Sequence, residues 1–161
     1  MQDLVLLVAS LSAEVTHSHI EGKAGAIAVA VAASLAAAWG LNETVQANRH
    51  RLIDDVLCHV PDSMTKDVLQ LASKIPESTS SPDAAATLGC GEQILSQDTV
   101  PFCLWSARKH LENYPEALWT TASVFGDIDT NCAIVGSIVS VAVGKQGVPT
   151  DWLLSREPLN G

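Results

Sequence analysis

The sequence predicts an all-α fold. Three observations carry that prediction. Apolar residues recur at helical spacing in segment after segment, no stretch alternates apolar and polar residues between turn signals as a strand does, and two long stretches consist almost wholly of small apolar residues. About seven helices are expected from the number of such periodic segments.

The elements follow in chain order. An apolar N-terminal stretch leads to Thr16-His17-Ser18-His19. Ala24 to Leu41 is an 18-residue run without a charge, long enough to be weighed as a membrane span. Alanine dominates it and inserts into lipid far less readily than Leu, Ile or Phe, so it is read as a small-residue helix inside a globular core. Val45, Leu52, Ile53, Val56, Leu57 and Val60 repeat at helical spacing, while Glu43, Arg51, Asp54 and Asp55 fall largely elsewhere, and Pro61 stops that helix. Asp62 is the expected N-cap of the next helix, whose stripe is Met64, Val68, Leu71 and Ile75. Pro76 to Pro82 is a loop by composition. Pro115 opens a helix with a face of Ala117, Leu118, Thr121, Ala122 and Phe125. Cys132 to Gly144 is too short to span a bilayer and reads as a core helix. Its Gly136, Ser140 and Gly144 form a small-residue row that lets another helix backbone approach closely. Gly147 to Trp152 is a turn into a short helix. The small-residue helices are apolar on every side, which places them in the middle of a larger body and suggests that the chain is part of a bigger fold.

Composition excludes several functions. The chain has 161 residues, with 9 Lys and Arg against 18 Asp and Glu, a formal charge of −9. A protein that tracks phosphates needs a basic face, so nucleic acid is not expected as a partner. Cys58, Cys90, Cys103 and Cys132 are irregularly spaced without a C-x-x-C pair, which argues against a zinc site or a disulfide scaffold and for free, mostly buried thiols in a reducing compartment. Met1-Gln2-Asp3 lacks the basic start of a signal peptide. A cytoplasmic protein with no membrane partner is expected.

Three segments carry candidate chemistry. The first is Phe125-Gly-Asp-Ile-Asp-Thr-Asn131, where two carboxylates and a hydroxyl sit within four residues and no Lys or Arg lies between Lys109 and Lys145. Asp127 and Asp129 at spacing two on irregular backbone can aim at one point, and Thr130 adds a neutral oxygen, a set suited to a hard divalent cation such as Mg2+. The same residues have a structural reading, in which Asp129 or Thr130 simply caps the following helix. The second is Thr16-His17-Ser18-His19, whose histidines suit ligand binding, acid–base work or metal coordination, or merely an ordinary turn. The third, Leu88-Gly89-Cys90-Gly91-Glu92, permits a tight turn and close backbone approach. It lacks the preceding strand and third glycine of a nucleotide fingerprint and is read as a plain turn.

In this order the segments resemble a known family. Thr16-His17 leads into an Ala-rich helix, and Gly89-x-Gly91 is followed by Asp98-Thr-Val-Pro-Phe-Cys-Leu-Trp105. Glu116-Ala-Leu-Trp119, Gly126-Asp-Ile-Asp-Thr130, Ala133-Ile-Val-Gly136 and Val148-Pro-x-x-Trp152 complete the set. Together they are similar to the ADP-ribosylglycohydrolases, the dinitrogenase-reductase-activating-glycohydrolase-like group, over nearly the whole chain. Each piece is weak alone; the Asp-x-Asp-Thr element before a small-residue helix with Val-Pro-x-x-Trp downstream is specific in combination.

The resemblance implies an all-α, orthogonal multi-helix bundle and two Mg2+ or Mn2+ ions in a central cleft. It also implies hydrolysis of the bond joining ADP-ribose to a protein side chain or small molecule. Carried over by position, Asp127, Asp129 and Thr130 would be metal ligands and His17 would line the ADP-ribose pocket, with no catalytic residue assigned. The family's remaining ligands come from a Thr- and Asp-rich N-terminal segment and an early glutamate, and this chain has no Thr-Asp-Asp run. Residues 1–161 therefore resemble a single partial domain, roughly the C-terminal half, with the N-terminal half of the family fold absent. At most one ion would be held weakly, and exposed apolar surface would favour self-association. Two alternatives to hydrolysis stay open: a non-catalytic ADP-ribose-binding remnant and a helical assembly protein.

Overall fold

A computed structural model describes residues 2–157, and every regular element in them is helical. Ten α-helices run in order: α1 (Gln2–Glu14), α2 (Ile20–Leu41), α3 (Val45–Asn48), α4 (Leu52–Leu57), α5 (Met64–Lys74), α6 (Ser81–Leu88), α7 (Ser96–Lys109), α8 (Tyr114–Ala122), α9 (Ile128–Val143) and α10 (Thr150–Ser155). Short 3-10 turns at Arg49–Arg51 and Lys145–Gly147 link α3 to α4 and follow α9. The all-α expectation holds, with more and shorter helices than seven.

Three helices touch one another and form the centre: α2, α7 and α9. The sequence marked α2 and α9 as central and passed over α7, yet every residue from Asp98 to Arg108 is buried. That helix carries Asp98, Thr99, Ser106 and Arg108, so its composition does not look like a core. Tertiary partners satisfy most of the charged and hydroxyl groups, which is the usual condition for burying them, although Arg108 Nε is buried without a hydrogen bond. Asp98 Oδ2 accepts from Gln93 N at 2.8 Å, Ser106 and Thr121 share a 2.8 Å hydroxyl bond, and Arg108 donates to the carbonyls of Ser73 (3.2 Å) and Ile75 (2.8 Å). Phe102 and Trp105 stack at 6.0 Å in the middle of the core.

Helix α2 packs on α1, α7 and α9 through Ala24, Ala28, Val31, Ala32 and Ala36. By length and composition it could cross a membrane. Small residues bring α2 and α9 together: a Cβ on Gly40 would lie 3.0 Å from the Ala142 carbonyl carbon. Gly136, from the predicted small-residue row, faces the Tyr114 hydroxyl of α8, where a Cβ would stand at 3.3 Å. Gly144 instead ends α9 at φ +66. Around this centre α1 covers α2, α8 covers α9, and α5 and α6 cover α7.

Several local expectations are corrected. The single helix expected from Val45 to Val60 breaks at Arg49, whose guanidinium meets Glu77 (2.7 Å) and the Arg108 carbonyl (3.2 Å). Ser63, not Asp62, caps α5 by accepting from Lys66 N at 3.1 Å, while Asp62 pairs with the Lys66 ammonium at 2.9 Å. The buried face of α5 is Thr65, Leu69 and Ala72; Met64 and Leu71 are exposed. The stripe is turned because the buried Thr65 hydroxyl has a carboxylate partner, Glu21. Helix α6 begins at Ser81 with Pro82 in its first turn, so the preceding loop is shorter than composition suggested. Helix α9 begins at Ile128 rather than Cys132. All four cysteines are free, but only Cys103 is buried; Cys90 and Cys132 are half-buried and Cys58 is exposed.

Candidate functional site

The acidic turn is built by α9 itself. Asp127 is the N-cap, its Oδ1 accepting from Thr130 N at 3.3 Å, and Asp129 lies in the first helical turn. The cap is therefore neither of the two residues the sequence reading offered. A carboxylate suits this place because the first helical N–H groups and the dipole favour negative charge. The Asp127 carboxyl lies below its ordinary range; the largest cause is a hydrogen bond shared with the Asp129 side chain, followed by the Thr130 hydroxyl and amide. Asp127, Asp129 and Thr130 are thus three oxygen-bearing side chains at one point.

The turn leans on the Gly89–Gly91 loop. The Cys90 carbonyl accepts from Asp127 N at 3.0 Å and from Asn131 Nδ2 at 2.7 Å. Gly91 N donates to the Asp98 carbonyl at 2.9 Å, tying the loop to α7. Gly91 has φ +90, and a Cβ there would stand 2.7 Å from the Asp127 Cβ. Gly126 has φ +69, and its Cβ would collide with the Cys90 carbonyl. The segment read as a plain turn is thus the seat of the acidic turn. The Cys90 thiol is pushed up by burial and then by Glu92 and Asp98, so it stays protonated at neutral pH and is a poor nucleophile.

Across from the turn stands the N-terminus of α2. His19 caps it, Nδ1 accepting from Glu21 N at 3.3 Å, and His17 Nδ1 contacts the Thr16 hydroxyl at 2.9 Å. Glu21 reaches from α2 to the N-terminus of α5, accepting from Met64 N (2.8 Å), Thr65 N (2.9 Å) and the Thr65 hydroxyl (2.7 Å). Partial burial, the largest single influence, raises the Glu21 carboxyl, but the Thr65 and Met64 bonds and the nearby His19 together bring it below its ordinary value. A folded value below the unfolded one adds stability at neutral pH that is lost as pH falls through the acid range. Glu21→Ala is expected to cost about 1–2 kcal/mol, by analogy with loss of a helix cap. The measurement is thermal unfolding, with the gap to the parent chain narrowing on acidification; a gap independent of pH would remove the charge from this account.

These two helix ends face one cleft of about 1420 Å³, whose walls include His17, His19, Glu21, Asp127 and Thr130. Asp129 adjoins Asp127 without itself lining that wall. The polar half also includes Ser96 and Thr99, and Gln97 lines the cleft with its side-chain oxygen buried and lacking a hydrogen-bond partner. The other half is apolar, from Val5 and Val8 of α1, Val29 and Ala33 of α2, and Ile134 of α9. Sequence reasoning named His17, Asp127, Asp129 and Thr130 but missed Glu21, Gly126 and Asn131. A carboxylate two residues past His19 and a glycine immediately before Asp127 were the available signals.

The donor set of the turn is chemically suited to a hard divalent ion: two carboxylates and a hydroxyl, with no Lys or Arg side chain paired to them among the described residues. It is a partial set. Among the described residues no group of three or more His, Cys, Asp or Glu side chains is placed to hold a metal ion. A family model described as ADP-ribosylglycohydrolase matches residues 2–159. No curated protein and no solved structure matches the chain.

Proposed function

The chain belongs to the ADP-ribosylglycohydrolase family, and from that premise we propose that its cleft binds ADP-ribose, free or attached to a protein or small molecule, and that the acidic turn takes part in hydrolysing the attachment with a divalent metal ion. The observation that carries this is the meeting of the α2 and α9 N-termini at one cleft. The α2 end, with His17 and His19, offers a partial positive charge and ring N–H donors to an anionic diphosphate. The apolar half offers Val5, Val8 and Ile134 to a base. Asp127, Asp129 and Thr130 would hold Mg2+ or Mn2+ and accept from ribose hydroxyls. When bound, such an ion supplies Lewis acidity and a more acidic water. Asp127, with its carboxyl below the ordinary range, keeps negative charge at the α9 terminus, and Asp129 and the Thr130 hydroxyl stand beside it. With only three ligating side chains, the set is incomplete, and a single ion retaining several waters is the form it suits.

That incompleteness favours a second reading, binding of ADP-ribose without turnover. Both are tested together by following release of ADP-ribose from an ADP-ribosylated protein with Mn2+, and by titrating free ADP-ribose calorimetrically. Turnover that disappears on chelation supports hydrolysis. Binding that weakens at least ~tenfold in His17→Ala, about the loss of one charge-assisted hydrogen bond, without turnover, supports the second reading. A chain that does neither, and that self-associates on sizing, supports the third reading, a helical assembly protein. For that case, and for self-association generally, the exposed Leu4, Leu7 and Leu11 of α1, with Val15 just past its end, are the surface we propose.

A further inference from the structure

We infer that Asn131 is the positioning residue of the acidic turn: acting through the Cys90 carbonyl, it sets where the Asp127 carboxylate stands in the cleft. The inference rests on the reading of Asp127 as a metal-facing group.

Asp127 is poorly held by its own side chain, whose one direct backbone bond, to Thr130 N, is 3.3 Å. Its position must come from its backbone. That backbone is fixed at its N–H by the Cys90 carbonyl (3.0 Å) and at its carbonyl by Asn131 N (2.9 Å). The Cys90 carbonyl is in turn clamped by Asn131 Nδ2 at 2.7 Å. Asn131 thus grips both sides of the junction, and it is fully buried on the face of α9 away from solvent. Its amide has a defined orientation, because the Cys103 thiol donates to Oδ1 at 3.4 Å, leaving Nδ2 to donate to Cys90. Burial pushes the Cys103 thiol up, so it remains a donor.

The surroundings leave the clamp no alternative. A Cβ on Gly126 would strike Cys90, and one on Gly91 would approach Asp127 Cβ (2.7 Å) and Asn131 Oδ1 (3.4 Å). The loop itself is pinned to α7 by Gly91 N to the Asp98 carbonyl and Gln93 N to the Asp98 carboxylate. Rigidity therefore passes from the buried helix α7, through two glycines and an asparagine, to a partly exposed carboxylate. Constellations of this kind lose function when a supporting group lets them shift by an ångström.

The experiment titrates the chain with Mn2+ alone and reads free Mn2+ by its paramagnetic resonance signal. The variants are Asn131→Ala, the isosteric Asn131→Asp, and Thr121→Val, a control that breaks the buried Ser106–Thr121 bond away from the cleft. Both Asn131 variants are expected to weaken Mn2+ binding about tenfold or more, the range for outer-shell partners of metal ligands. Thr121→Val, with a comparable fall in melting temperature, is expected to stay within about twofold of the parent, as for sites that share no partner. Asn131 variants that bind Mn2+ as well as the control overturn the inference and leave the metal reading standing. A parent chain that does not bind Mn2+ overturns the metal reading and the inference with it. Asn131→Asp keeps the volume of the side chain, so the comparison survives if the alanine variant fails to fold.

Discussion

Asp127→Asn is expected to leave the fold intact and to remove divalent-ion binding, whereas Asp127→Ala removes the ion and destabilises as well. Asp127 has two separable roles. As the N-cap of α9 it satisfies Thr130 N, and Asn serves as an N-cap about as well as Asp, while Ala costs about 1 kcal/mol. For a domain of this size that is roughly 2–4 °C of melting temperature. As a metal-facing group Asp127 contributes charge, which Asn lacks and which no neighbouring carboxylate replaces except Asp129. The expected pattern is a melting temperature within a degree or two for Asp127→Asn, a clear drop for Asp127→Ala, and at least ~tenfold weaker Mn2+ binding in both, since a hard cation demands charged oxygen ligands. If Asp127→Asn bound Mn2+ like the parent chain, the turn would be a helix cap and nothing more.

The largest loss of stability is expected at Trp105. It is the largest fully buried side chain, stacked on Phe102, with the Lys109 ammonium 4.8 Å from its ring. Truncation to alanine empties the middle of α7, where the surrounding helices cannot collapse because small residues already hold them close. The expected cost is about 3–5 kcal/mol, a large share of the roughly 5–15 kcal/mol that holds a domain together. Trp105→Phe should cost much less. It leaves a smaller void, and it also removes an indole N–H that is buried without a partner, whose desolvation is itself worth about 1–3 kcal/mol. Urea unfolding separates the two variants. A Trp105→Phe loss as large as that of Trp105→Ala would mean that refilling most of the void recovers nothing, and would overturn this account.

The candidate site was marked out before any fold. Asp127, Asp129 and Thr130 stand out because a local run of carboxylates without a neighbouring cation is a property of adjacent residues. His17 was singled out only through the family resemblance, and the cleft places it on a wall shared with Asp127 and Thr130. Asn131 and Glu21 were passed over. Each looks like an ordinary polar residue beside a helix, and each acquires its role from a partner more than forty residues away, Cys90 for one and Thr65 for the other. The Gly89–Gly91 loop was misread for a related reason. Two glycines declare that close approach is possible but not what approaches, and the answer is the turn at Gly126.

By itself the sequence determined the helical class, the small-residue character of α2, and the chemical character of the acidic turn. All three follow from spacing and side-chain type within a few turns of chain. Only the tertiary structure decided that α7, with its aspartate, threonine, serine and arginine, is the buried centre, and that the ends of α2 and α9 meet. Burying a polar helix is favourable only when distant groups complete its hydrogen bonds, and no local pattern records which distant groups those are.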